Sequence, residues 1–149
     1  MTPTPVPAHI ILPADPPREF RGEWTLDEVR RGSFSEHAGI LRALPVAVAA
    51  PADAEDVAAL ARWASGHGIA LVPRAAGTGM PGGNVGPGVA VDLKTRFGGI
   101  GPVDAERRTA RVQPGATLGE LNRAVAPAGL QFPVDPSSAD RASMGGIIA

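Results

Sequence analysis

The residues best suited to chemistry lie at 69–88 and read IALVPRAAGTGMPGGNVGPG. An apolar run delivers the chain into six glycines, at 77, 79, 82, 83, 86 and 88, with prolines at 81 and 87. Small residues leave main-chain N–H groups uncovered, and glycine reaches positive φ without steric cost. Successive amides exposed in this way form a nest for an anion such as phosphate or diphosphate. A glycine-rich stretch also serves as a plain flexible connector. What favours a binding loop is its place directly after a strand-like run, because ligands in α/β sheets sit at the carboxyl ends of strands.

Two familiar phosphate motifs are excluded. Gly77-x-Gly79-x-x-Gly82 matches the G-x-G-x-x-G dinucleotide fingerprint letter for letter. The third glycine of that fingerprint opens a helix, whereas Pro81, Gly82, Gly83, Gly86, Pro87 and Gly88 oppose one here. The ribose-binding acid belongs about twenty residues further on, and Asp92 comes too early. No G-K-[ST] follows, which removes a P-loop. The loop itself must supply the donors, with no help from a following helix.

The elements that position this loop are legible around it. Val46 to Ala49 is a short apolar run closed by Pro51 and predicts a buried strand. Asp53 stands at an N-cap position, with Glu55 and Asp56 in the first turn where acids suit the helix dipole. Val57, Leu60, Ala61 and Ala64 continue at helical spacing to a stop at Gly66 and Gly68. Ile69 to Val72 predicts the next strand, ended by Pro73. Strand, helix and strand joined this closely make a βαβ unit with parallel strands and a right-handed crossover. Val89 to Leu93 and Thr109 to Gln113 predict further strands, and Thr117 with Glu120 forms a capping box for a helix to about Ala126, stopped by Pro127 and Gly129.

Upstream, six prolines within the first seventeen residues predict an extended arm, and the polar segment from Arg21 to Ala43 predicts a short helix followed by irregular chain. The expected division is an arm and lead-in over 1–43 and one domain over 44–149. The terminal Met144-Gly145-Gly146-Ile147-Ile148-Ala149 is apolar with no polar closing residue, which predicts a dangling end or an unpaired strand edge and hence a longer parent domain.

Composition narrows the function class. Of 149 residues, 44% are hydrophobic and 4% aromatic, enough for one core filled mainly by Ala, Val, Leu and Ile. A formal net charge of -1 with scattered arginines argues against nucleic acid as a partner. The absence of cysteine excludes disulfides, thiolate-bound zinc and iron–sulfur ligation by these residues. No stretch is long enough to span a membrane, and residues 1–6 do not form a secretory signal, so the cytoplasm is the expected compartment. Three scattered histidines, His9, His37 and His67, make no metal site; His67 at a helix end is expected to cap it, and the other two show no partner. Arg74 is open to two roles, phosphate contact or structural ion pair.

The segment P-R-A-A-G-T-G-M-P-G-G at 73–83 resembles the P-R-G-G-G-T-S-L-x-G-G flavin loop of the FAD-linked oxidases, the fold shared with vanillyl-alcohol oxidase and p-cresol methylhydroxylase. Further likenesses follow in order: V-A-A-P at 48–51, E-D-V at 55–57, V-Q-P-G at 112–115, L-N at 121–122, D-P-S-S at 135–138 and S-M-G-G-I-I-A at 143–149. The resemblance runs from about 44 to 149, with a fainter likeness in R-x-S-F-S-E-H at 31–37. It points most closely to dehydrogenases of D-2-hydroxy acids such as D-lactate, glycolate and D-2-hydroxyglutarate.

The resemblance implies an α+β FAD-binding domain in which a small parallel α/β lobe, up to about residue 100, is followed by the start of a second lobe, with FAD between them. Pro73 and Arg74 would lead into the loop. Ala75, Ala76, Gly77, Thr78, Gly79 and Met80 would wrap the diphosphate through main-chain N–H groups, with the Thr78 hydroxyl adding a donor. Pro114, Asp135, Pro136, Ser143, Gly145, Gly146 and Ile147 would line the approach to adenosine and isoalloxazine, although D-P-S-S read alone is ordinary turn chemistry. Thr78 stands where members with covalently attached flavin often carry His, which implies noncovalent FAD. Ala75 replaces a common glycine and would strain the loop if that position needed positive φ. The implied partners are FAD, a small-molecule substrate and an unspecified electron acceptor. The groups that bind the substrate carboxylate and take its hydroxyl proton would lie in later segments, so no catalytic residue is expected within these 149 positions, and a chain ending at Ala149 is expected to hold flavin weakly. Other reactions on the same fold, or a nonenzymatic nucleotide-binding module, are the competing readings.

Overall fold

A computed structural model describes residues 15–149, and most of the expected proline-rich arm lies outside the described residues. The centre of the first lobe is a four-stranded sheet in the order β1 (Glu23–Thr25), β2 (Ala47–Ala50), β4 (Val89–Asp92), β3 (Leu71–Arg74). Strands β2, β4 and β3 run parallel, with β4 between the two strands of the βαβ unit. Every residue of β2 and β4 is buried, as expected of parallel strands covered on both faces. Alanines at 47, 49 and 50 leave room for helix α2 (Ala54–His67), whose Leu60 and Ala64 close the core with Ala47, Ala49, Ile69, Val89 and Val91. Phe34 packs with Val48 and Ala90 in a second cluster.

Helix α2 begins as its sequence directs, but it runs through Gly66, expected as part of the stop, and ends only at Gly68, where the backbone turns left-handed. Asp53 Oδ1 accepts from the N–H groups of Glu55 and Asp56, and Gly68 closes the helix at φ +65. His67 Nδ1 lies 2.7 Å from the Trp63 carbonyl, so the ring serves the helix end. Pro73 lies inside β3 instead of ending it. The carbonyls of Ala70 and Arg74 accept from Val89 and Leu93, so even-numbered residues of this segment face β4 and Pro73 faces outward, where no donor is required.

The segment after Arg21 contains more than the expected helix α1 (Glu28–Gly32). Strand β1 precedes it and pairs antiparallel with β2, while Trp24 meets the Trp63 ring edge-on at 5.5 Å. Three residues are too few to display an alternation. Strand β5 (Ile100–Asp104) was likewise hidden, because Gly101 and Pro102 read as turn residues; it pairs with β6 (Thr109–Val112) through a register shift between Ile100 and Val103 that accommodates them. Helix α3 (Leu118–Val125) carries the full capping box and runs into a 3-10 turn (Ala126–Ala128) closed by Gly129. Leu118, Leu121, Val125 and Met144 make the core of this second lobe against Ile100, Val103, Ala110 and Val112. The terminal apolar residues form a short helix α4 (Met144–Ile148), with Ile148 exposed.

One buried acid ties the lead-in to the first lobe. Asp56 is 1% exposed and accepts from the N–H of Arg21, the N–H of Ala52 and the Arg21 guanidinium. Burial alone favours its neutral form, but these donors outweigh that and hold the carboxyl below its ordinary range. A depressed pKa in the folded state adds stability at neutral pH that is lost as pH falls through that lowered value. Asp56→Asn is therefore expected to lower the urea midpoint at pH 7 and to flatten its decline on acidification; an unchanged midpoint, or an unchanged acid limb, would count against this assignment.

Candidate functional site

The glycine-rich segment leaves β3 at the carboxyl end of the sheet and stays free of helix from Ala75 to Gly88. Gly77 and Gly82 take φ +72 and +91, the two places where the loop requires left-handed backbone. Ala75 is not among the positive-φ positions; Arg108 is the sole non-glycine among the described residues that is. The substitution of alanine for the usual glycine therefore introduces no backbone strain.

Hydrogen bonding separates the loop into tethered and free parts. The N–H of Ala76 donates to Ser143 Oγ at 3.3 Å, joining positions 67 apart in sequence. Ser143 occupies the N-cap of α4, yet its side chain makes no bond to that helix and turns to the loop. The N–H groups of Gly77, Thr78, Gly79 and Met80 find no acceptor among the described residues. Four consecutive unpaired donors, half-buried at Gly77 and Thr78 and exposed at Gly79 and Met80, are what an oxyanion group requires. Two orphaned polar atoms lie beside them, His37 Nε2 and Asn84 Oδ1, both buried without a partner among the described residues. The free amides fit a diphosphate cradle, whereas Asn84 Oδ1 is an acceptor and offers an anion no bond.

Arg74 has a structural task. Its guanidinium donates to the carbonyls of Phe34 and Glu36 and lies over the Phe34 ring, 5.5 Å from the centroid. Burial pushes its pKa down and the charge of Asp92 pushes it up, with burial prevailing. Asp92, 3% exposed, is itself satisfied by Arg30 at 2.9 Å and by Lys94 N–H, Thr95 N–H and the Thr95 hydroxyl. Gly77 sits directly on the Arg74 guanidinium, so that a Cβ there would lie 2.6 Å from Nη2.

The second lobe reaches the same place. Gly145 N–H donates to the Pro114 carbonyl at 3.0 Å, and a Cβ on Gly145 would lie 2.6 Å from that of Pro114. Pro114, Ser143 and Gly145 are thus brought together with Ala76. Gly146 is exposed beside Ser143, and Ile147 packs into the second core. Asp135 is exposed and Pro136 opens a turn through its carbonyl to Ala139; no hydrogen bond or ion pair joins Asp135 to the loop among the described residues. Lys94 Nζ donates to the Gly115 carbonyl at 2.8 Å, a second link between lobes.

Three contributors escaped the sequence reading: Phe34, His37 and Asn84. The only signal was the faint upstream likeness that includes Phe34 and His37. At Gly77 both backbone and space are restrictive, so Gly77→Ala is expected to cost about 1–2 kcal/mol from the left-handed backbone alone and to displace Arg74. Thermal unfolding checks the first effect, and the amide spectrum of residues 34–36 checks the second; a variant that unfolds like the parent would refute the constraint.

Comparison with known proteins gives this geometry its context. The chain is 36% identical over 132 residues to the D-2-hydroxyglutarate dehydrogenase of Pseudomonas putida, covering 87% of this chain and 13% of that protein. It is 36% identical over 108 residues to the glycolate oxidase subunit GlcD of Bacillus subtilis, covering 72% and 23%. The chain thus spans less than a quarter of the length of these relatives. Among solved structures, an alkyldihydroxyacetonephosphate synthase aligns with a TM-score of 0.72 at 20% identity over 83% of this chain and 25% of that one. The 4-ethylphenol oxidase from Gulosibacter chungangensis aligns with a TM-score of 0.67 at 24% identity over 83% and 25%. These likenesses establish the fold as that of the p-cresol methylhydroxylase type of α+β flavin domain, and p-cresol methylhydroxylase itself aligns with a TM-score of 0.66. The model of the FAD binding domain family matches residues 45–149, well over half of the chain, and the protein belongs to that family.

Proposed function

We propose that this chain supplies the diphosphate-binding part of a flavin dehydrogenase that oxidises a D-2-hydroxy acid of the lactate, glycolate or 2-hydroxyglutarate type. The observation that carries the reading is the row of N–H groups from Gly77 to Met80, unpaired among the described residues, at the end of β3, with left-handed glycine backbone at position 77. FAD is the cofactor of the family, and these amides hold its diphosphate, with the Thr78 hydroxyl as an added donor. Pro73 and Arg74 bring the backbone to the site, and Ala75 and Ala76 keep it uncovered. Ser143 fixes the loop at Ala76 and so sets the distance between lobes. Pro114, Asp135, Pro136, Gly145, Gly146 and Ile147 line the approach from the second lobe. Retention is noncovalent, since position 78 offers a hydroxyl where an attachment residue would stand.

The chemistry supplied by bound FAD is acceptance of hydride at N5 from the substrate α-carbon. This chain's residues contribute binding and orientation, and the hydroxyl proton leaves to a base outside 1–149, yielding a 2-oxo acid. Substrate class rests on the names of the curated relatives, of which the chain covers only a small part. Among the described residues no helix is long and apolar enough to cross a membrane.

Titration of the isotope-labelled chain with FAD is expected to shift the amide signals of Gly77, Thr78, Gly79 and Met80 first, with weak affinity; shifts elsewhere that spare this loop overturn the assignment. In the longer flavin-loaded protein, D-2-hydroxy acids are expected to bleach the flavin anaerobically and their L-enantiomers to leave it oxidised. Bleaching by both enantiomers alike, or by neither, would remove the substrate proposal while leaving the cofactor.

A further inference from the structure

We infer that His37 is a positioning residue that pre-aims the Met80 N–H into the anion cradle by holding the carbonyl of Gly79. The inference rests on the reading of the loop as a diphosphate cradle. His37 Nδ1 lies 2.9 Å from the Gly79 oxygen, a contact between positions 42 apart in sequence. A trans peptide is planar, so the C=O of residue 79 and the N–H of residue 80 point in opposite directions. Fixing one therefore fixes the other. Turned the opposite way, the same peptide would present a carbonyl oxygen to the anion and repel it.

The ring must donate for this to work. Nδ1 also lies 3.1 Å from the Gly39 N–H, and one nitrogen cannot donate to Gly79 and accept from Gly39 together. The Gly79 contact is the shorter of the two, and the role inferred for the ring takes the proton to sit on Nδ1, in which tautomer the Gly39 N–H gives up Nδ1 as its acceptor. That assignment leaves Nε2 buried and without a partner.

The surroundings hold the ring in place. A Cβ on Gly82 would lie 2.5 Å from Leu41 Cδ1, so glycine at 82 gives Leu41 its room, and at 3.6 Å from Nε2 the ring packs against this backbone at ordinary contact distance. On the ring's own segment, Glu36 pairs with Arg42 and is bridged to it in antiparallel fashion, and the Glu36 carbonyl accepts from Arg74. Met80 has no comparable anchor, its side chain being 71% exposed. Its orientation depends on the main chain alone.

The test compares the full chain with His37→Ala, His37→Phe, which fills the space without a donor, and His37→Asn, whose side-chain N–H stands near the position of Nδ1. The first readout is the 15N relaxation order parameter of the Met80 amide, which needs no flavin. The parent is expected near the rigid value of about 0.85, the Ala and Phe variants below about 0.6, and Asn restored toward the parent. The second is FAD affinity by flavin fluorescence, expected to weaken about tenfold in Ala and Phe, the effect of one lost charge-assisted bond, and to recover within about threefold in Asn. An Ala or Phe variant whose Met80 amide stays as ordered as the parent, or an Asn variant that recovers nothing, overturns the inference. If the parent chain fails to bind FAD, the cradle reading fails separately, and the order parameters still decide the role of His37.

Discussion

A main-chain N–H without a protein acceptor must be satisfied by water or by a ligand, and proteins leave few such groups together away from water. Among the described residues, the loop from Gly77 to Met80 keeps four in a row, half-buried at Gly77 and Thr78 and open to water at Gly79 and Met80. Everything nearby is arranged so that this arrangement persists without collapsing into turns or helix. Pro81 and the run of glycines deny the segment a helix, and the flanks are pinned from three directions. Arg74 fastens the entrance to Phe34 and Glu36, Ser143 takes the amide of Ala76, and His37 holds the carbonyl of Gly79. Each pin removes a competing use for the backbone without covering the free donors.

The pins come from three distant parts of the chain, which explains why the fold is built as it is. The segment before β2 carries Phe34 and His37, strand β3 carries Arg74, and the start of α4 carries Ser143. The sheet brings the first two together, since β2 and β3 flank β4 and end on the same side. The third arrives because the second lobe folds back: Gly145 packs on Pro114, and Leu118 N–H donates to the Ala142 carbonyl. Small residues at the meeting points are what make these approaches possible. At Gly115, a Cβ would stand only 2.7 Å from the Phe97 carbonyl.

The parts legible in the sequence were those governed by local rules. The Asp53 cap, the αL stop at Gly68 and the Thr117–Glu120 capping box are decided within four residues, and each formed as read. Strand β2 declared itself as an uninterrupted apolar run, and β4 as one closed by Asp92. The outcome differed where neighbours outvoted composition: Pro73 sits within β3 because the strand is an edge, Gly101 and Pro102 lie in β5 because its partner tolerates a shifted register, and β1 exists only because β2 offers it an open side. The glycine-rich loop was legible as a helix-free stretch at the end of a strand, whereas the consumption of the Ala76 amide by Ser143 and the lodging of His37 against Gly79 are long-range contacts with no periodic trace. Arg74 shows the same limit, since phosphate contact and structural anchoring call for the same residue type.

The outward-facing Pro73 has a consequence for how such domains behave in crowded solution. A sheet margin with a full ladder of free amides invites a second chain to add itself as another strand, and the margin here is the one that leads into the cradle. With a ring nitrogen at its centre, β3 withholds a rung from any would-be neighbour. The same residue that leads into the glycine-rich loop thereby guards against misassembly at that margin.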